Sequence, residues 1–186
     1  TLNDGDNVLM VETGHFASLW NNMAQKLGLK VELLKTDWRQ GLDPNEIEKR
    51  LRLDADKKIK AVCIVHNETS TGCTADVKAV RDILDDLNHD ALLMVDTISG
   101  LASINYEHDE WGVDITISGS QKGLMLPPGL SFNAISEKAI NASKKSGLKK
   151  SYWDWDEHLE FNRTGFFPYT PATVSYTHLR AHETRT

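Results

Sequence analysis

Apolar residues along the chain recur with two different periods. Asn7–Val11 (NVLMV), Val31–Leu34, Ala61–Val65 (AVCIV), Ala91–Val95 (ALLMV) and Val113–Ser118 (VDITIS) are short apolar runs with strand character, and Leu130–Ile135 reads as one more strand. Between them lie segments with helical spacing. Ala17–Leu27 places Leu19, Met23 and Leu27 on one face and stops at Gly28, and Ala75–Leu87 follows the same rule. Asp43-Pro44-Asn45-Glu46 is a helix start: Asp43 to cap free N–H groups, Pro44 at the first helical position, and Glu46 to complete a capping box. Strands that alternate with helices predict an α/β layer fold around a mainly parallel sheet. The unbroken apolar runs, Ala61–Val65 above all, predict strands buried on both faces.

In such sheets ligands bind outside the carboxyl ends of the strands. Four segments occupy those places: Val11-Glu12-Thr13-Gly14-His15-Phe16, His66-Asn67-Glu68-Thr69-Ser70-Thr71-Gly72, Asp96-Thr97-Ile98-Ser99 and Gly119-Ser120-Gln121-Lys122-Gly123. Lys122 sits on a turn rich in small residues after an apolar run, where partial desolvation would make its amine nucleophilic. Asp96 ends a buried strand, a place for a carboxylate that caps a turn or pairs with a cation, including a protonated ring nitrogen. Other readings stand beside these. Thr69, Ser70 and Thr71 suit caps of the helix beginning near Asp76, and Phe16 suits a hydrophobic staple at a helix entry. Glu68 and His66 are candidates to support the site from behind, whereas His15, His89, His108 and His158 read as surface or internally satisfied histidines.

Composition narrows the partners. The 186 residues carry 21 Lys and Arg against 27 Asp and Glu, a net charge of -6, which argues against nucleic acid. No run of about 18 apolar residues could span a membrane. Thr-Leu-Asn-Asp-Gly-Asp has neither the basic start nor the apolar stretch of a signal peptide, and without an initiator Met it reads as a start within a longer protein. Two cysteines, Cys63 and Cys73, suggest no disulfide framework and fit a cytoplasmic setting.

The order V-D-T-I-S-G, then S-G-S-Q-K-G-L-M-L-P-P-G, with H-N-E-T-S-T-G upstream, resembles the class V aminotransferases, in particular the serine–glyoxylate and alanine–glyoxylate group. The similarity runs from about Asn7 to Thr173. It implies the three-layer large domain of fold-type I pyridoxal-phosphate (PLP) dependent transferases, partial over residues 1–173. Lys122 would form the Schiff base to PLP and Asp96 would pair with its ring nitrogen. Ile98 would pack on one ring face and Phe16 on the other, where many relatives carry tryptophan. Thr69 would bond near the ring hydroxyl, Gln121 the phosphate, and Thr170, in F-P-Y-T-P-A-T, the phosphate of a second subunit's cofactor. That last contact implies a homodimer. Phe167 stands where some relatives carry a phosphate-contacting tyrosine. A phosphate-cradling turn is expected to precede residue 1, and an arginine for the substrate carboxylate to follow in a further domain.

The implied activity is transfer of an amino group to glyoxylate, with serine as donor, and alanine or a related amine next. A cysteine desulfurase needs an acceptor cysteine, and neither Cys63 nor Cys73 lies in such a motif. A cofactor-free Schiff-base aldolase would have no use for Asp96. The 186 residues alone could also be an inert piece. Residues 174–186 (VSYTHLRAHETRT) turn polar and basic, with Arg180 and Arg185, and resemble a translated sequencing adapter rather than the family. His178 and His182, with Glu183 beside them, are not in the order of a metalloprotease motif, and no metal site is assigned.

Overall fold

A computed structural model describes residues 1–183, without the side chains of His178 and residues 181–183. The expectations placed on His178, His182, Glu183 and Arg185 therefore lie outside the described residues. The elements run β1 (Asn7–Glu12), α1 (His15–Lys26), β2 (Lys30–Lys35), α2 (Pro44–Arg52), β3 (Ile59–Val65), β4 (Asn67–Glu68), β5 (Cys73–Thr74), α3 (Val77–Asp86), β6 (Leu92–Asp96), β7 (Ile115–Gly119), β8 (Ser131–Ile135), α4 (Glu137–Lys145), α5 (Trp155–Asn162) and α6 (Thr173–Glu183).

Six strands form one sheet in the order β2-β1-β3-β6-β7-β8, and β4 and β5 make a small hairpin. All neighbours in the large sheet are parallel except β7 and β8. Because successive side chains point to opposite faces, each central strand feeds two cores. Leu9, Val11, Val62, Ile64, Leu93 and Val95 pack with Ile47 and Leu51 of α2 and Val77, Val80 and Leu84 of α3. Val8, Met10, Ala61, Cys63, Leu92, Met94 and Ile115 pack on the other face with Ala24 of α1 and Ala139 of α4. The result is three layers, helix–sheet–helix, as the alternating pattern predicts. Each large aliphatic side chain removed from water stabilises this arrangement by about 1.5–3 kcal/mol.

Local signals account for most helix starts. Asp43 accepts a hydrogen bond from Asn45 N and Pro44 opens α2. Glu46 does not close the expected capping box; it pairs with Lys49 one turn on. Helix α3 begins two residues later than the apolar pattern suggests, because Asp76 accepts from Ala79 N and serves as its cap. Thr69, Ser70 and Thr71 therefore do not cap α3; they form the turn of the β4–β5 hairpin.

Helix α1 departs furthest from expectation. Leu19, Met23 and Leu27 face outward, 48%, 52% and 55% exposed, while Ala17, Asn21 and Ala24 are buried. Ala17, Asn21 and Ala24 are also helically spaced, at i, i+4, i+7, and let the helix axis come close to the sheet, so periodicity predicted the helix but not its inward face. Helices α4, α5 and α6 were not anticipated. Helix α4 is capped by Ser136, and α6 forms where a polar stretch was expected.

Candidate active site

The carboxyl ends of β1, β3, β6 and β7 lie side by side in the sheet. Backbone pairing continues just past them: His66 N donates to Asp96 O at 2.9 Å and Thr97 N to Ile117 O at 2.8 Å. Side chains then tie loop to loop. Asn67 Nδ2 donates to Ser99 Oγ (2.9 Å), and Ser99 Oγ donates to Asn67 O (2.8 Å). Between β1 and β3, His15 N donates to Ser70 Oγ at 2.9 Å, and Phe16 N and Ala17 N donate to the Glu68 carboxylate at 3.3 and 3.1 Å.

Glycines stand where these loops touch. A Cβ on Gly14 would lie 2.4 Å from Glu68 Cγ, one on Gly100 2.5 Å from His66 Nδ1, and one on Gly123 2.1 Å from Leu101 O. The last contact joins the Lys122 loop to the loop that follows Asp96. Buried Ser120 braces the Lys122 loop from below, donating to Pro127 O (2.7 Å) and accepting from Leu130 N (3.3 Å).

The strand ends thus bring together Asp96, Ile98, Phe16, Thr69, Gln121 and Lys122 on four neighbouring loops. Asp96 is half-buried, and Oδ1 accepts from Ile98 N at 2.8 Å. Its other oxygen receives no hydrogen bond among the described residues. Burial, opposed by that single bond and reinforced by the negative charge of Glu68, holds Asp96 above the usual carboxylate range. Ile98 and Phe16 are 36% and 43% exposed, so Phe16 is not a core staple. Thr69, Gln121 and Lys122 are exposed. Among the described residues none covers Lys122 to supply the expected desolvation.

Thr170 is exposed, and among the described residues no hydrogen bond joins it to this cluster. Earlier in the same segment, Ser146 Oγ donates to Leu2 O and Gly147 N to Asn3 Oδ1, ahead of the amino end of β1. A cavity of about 660 Å³ opens at the amino ends of the strands, lined by Asp6, Lys60, Leu92 and Lys138 among others and by none of the strand-end residues named above.

Two buried polar atoms near the cluster have no partner, Thr13 Oγ1 after β1 and His66 Nδ1 after β3. Burial holds His66 below the ordinary histidine range. His66 was a candidate to support the site from behind, whereas Thr13 had no sequence signal beyond its place after a strand.

Residues 1–152 match the class V aminotransferase family model. The chain belongs to the class V aminotransferases. It is 48% identical over 176 residues to the serine–glyoxylate aminotransferase of Methylorubrum extorquens, covering 92% of this chain and 44% of that relative. It is 42% identical over 182 residues to the serine–glyoxylate aminotransferase of Arabidopsis thaliana, covering 97% and 45%. Among solved structures, the alanine–glyoxylate aminotransferase of Nostoc sp. superposes with a TM-score of 0.80 at 28% identity, over 97% of this chain and 47% of that one. This class V chain therefore spans less than half the length of the relatives it matches, and its three layers are those of the large domain of fold-type I transferases.

Proposed function

We propose that the protein is a PLP-dependent aminotransferase that moves an amino group from serine to glyoxylate, leaving the 2-oxo acid of serine and forming glycine. The observation that carries this reading is the pairing of a half-buried carboxylate with one unengaged oxygen, Asp96, with Lys122 on the loop of the adjacent parallel strand. PLP, when bound, supplies a ring that takes up the electrons left when the substrate's α-proton departs. Asp96 holds a proton at the ring nitrogen. Lys122 would hold the cofactor and would carry the substrate's α-proton as base and then acid. Phe16 and Ile98 would hold the two ring faces, Thr69 the ring hydroxyl region and Gln121 the phosphate.

The names of the curated relatives support serine as donor; the likeness to the Nostoc enzyme supports alanine as the alternative. Residues 1–173 are read as part of the cofactor-binding large domain and 174–186 as a tail outside it; the exposure of Val174 and Tyr176 on α6 supports that division. We read the whole protein as a homodimer in which Thr170 serves the site of a second copy. Its exposure supports this. Among the described residues no helix is long and apolar enough to cross a membrane. The free thiols Cys63 and Cys73 suit a reducing cytoplasm.

The chain is incubated with PLP, reduced with borohydride and digested, and the pyridoxyl label is located by mass spectrometry. The expected result is label concentrated on Lys122 and lost in Lys122→Ala. Label concentrated on another lysine overturns the assignment.

A further inference from the structure

Glu68 joins parts of the candidate site, and sequence alone assigns it no more than an unspecified supporting place behind it. Its side chain is fully buried at the end of β4. One carboxylate accepts from Phe16 N (3.3 Å), Ala17 N (3.1 Å), Ser70 N (3.1 Å) and Ser70 Oγ (2.6 Å). The first turn of a helix leaves N–H groups without internal partners, and a neighbouring side chain usually answers them. The N-cap of α1 is Gly14, which has no side chain to offer. The cap arrives instead from a residue 51 or 52 positions further along the chain. Gly14 makes room for it, since a Cβ there would stand 2.4 Å from Glu68 Cγ.

Burial alone would push a carboxyl upward. Here the bonds from Ser70, Ala17 and Phe16 outweigh burial and hold Glu68 below the ordinary carboxylate range. The positive end of α1 acts in the same direction. Glu68 is therefore ionised at neutral pH, deep in the protein, and among charged groups it is the one that acts on Asp96.

We propose that Glu68 is the positioning residue of the site, a single buried carboxylate that fixes the Phe16 end of α1 against the Thr69–Ser70 turn, two residues beyond His66, whose N–H pairs with Asp96 O. A second negative charge on the segment beside Asp96 makes it a better holder of a protonated nitrogen, because losing that proton would leave two negative charges with no cation to answer them. The other ionisable groups around the pair do not cancel this. His66, whose backbone N–H pairs with Asp96 O, is kept neutral by burial. Lys122 belongs to the loop after β7, and His15 is exposed at the start of α1. The consequence for the cofactor ring rests on the proposed role of Asp96; the linkage among Phe16, Ser70, Glu68 and Asp96 does not.

The test uses the full chain without added cofactor. Carboxyl-carbon NMR follows the titration of Asp96, and amide hydrogen exchange follows Phe16 and Ala17, in the parent, Glu68→Gln and Glu68→Asp. In Glu68→Gln the Asp96 midpoint moves down, and exchange at Phe16 and Ala17 speeds up by about tenfold or more as charge-assisted bonds are lost. In Glu68→Asp, which keeps the charge but falls short of α1, exchange speeds up while the Asp96 midpoint stays raised. An Asp96 midpoint unmoved by Glu68→Gln overturns the proposal. Should that variant not fold, the parent answers alone: the Glu68 carboxyl signal must show an inflection at the Asp96 midpoint, and a flat signal overturns the proposal. Failure of PLP to label Lys122 in the parent would sink the aminotransferase reading while leaving this carboxyl coupling intact, so the two failures are distinguishable.

Discussion

Gly123 offers a direct test of how the candidate site is held. A methyl group there would lie 2.1 Å from Leu101 O, 2.6 Å from Ser103 Oγ and 3.1 Å from Ala102 C. Ser103 can rotate away; the Leu101 carbonyl is backbone and cannot. A carbon and an oxygen rest at well over 3 Å, so Gly123→Ala must part the Lys122 loop from the Asp96 loop by about 1 Å. Overpacking of this kind costs about 1–3 kcal/mol. For a chain of this size that lowers Tm by roughly 2–10 °C. The effect on chemistry should be larger than the effect on stability, because a displacement of about 1 Å in a reacting group can slow a reaction by about 100-fold. The assays are thermal unfolding and the rate at which PLP and borohydride label Lys122. Gly147→Ala is the control, since its Cβ would meet only Asn3 Oδ1 at an ordinary 3.4 Å. Gly123→Ala with the Tm and labelling rate of the parent would refute the claim that these two loops are locked together.

Two further outcomes are expected. Asp54 is held below the ordinary carboxylate range: burial raises it, but bonds from Ile59 N, Lys58 N and His89 outweigh that; Glu68 is depressed likewise. Each contributes stability that is present above its unfolded pKa, about 4, and is lost as pH falls through the lower folded value. Asp96 is raised, so its contribution is present below about pH 4 and lost as pH rises through its folded value. Urea midpoints measured in acid should therefore fall less steeply for Asp54→Asn than for the parent, and an equal slope would contradict the Asp54 assignment. Cys63 is buried and its thiol is pushed up to about 12 by burial, whereas Cys73 is half-buried. A thiol reagent at about pH 8 should then modify Cys73 in the native chain and Cys63 only in denaturant; fast native reaction at both would show that the core around Cys63 is open.

The strands were legible because a buried parallel strand is an unbroken apolar run, and the candidate site was legible because polar residues cluster where those runs stop. Asp96 follows Leu-Leu-Met-Val directly, and the register of β6 with β7 brings it beside the strand that leads to Lys122. Two things were not legible. The inward face of α1 is defined by Ala17, Asn21 and Ala24, yet Leu19, Met23 and Leu27 are also helically spaced and more hydrophobic. Nothing in the sequence says that α1 is pinned from outside by Glu68 and Ser70. The role of Glu68 was hidden for the same reason: its partners on α1 are backbone N–H groups, which every residue but proline carries and no pattern reveals. Helix α4 had a readable start in Ser136, but its interior of Asn, Ser and Lys gives little apolar period to follow.

The same contacts explain why an exposed lysine can still be placed accurately. The side chains that would touch a cofactor, Lys122, Gln121, Thr69 and Phe16, are exposed, whereas the groups that position them, Ser120, Glu68 and Thr97, are buried and hydrogen-bonded. Gly14, Gly100 and Gly123 sit at three junctions where one loop presses on the next, and each leaves less room than a methyl group needs. Chemistry is thus carried on loops whose positions are set by neighbouring loops and by the strands beneath them, which is how a surface site acquires the precision of a core. The low-dielectric surroundings that would activate Lys122 are absent from this chain's own packing. The exposed faces of Phe16 and Ile98 are apolar surfaces open to a planar ring, the cover that the proposed function calls for.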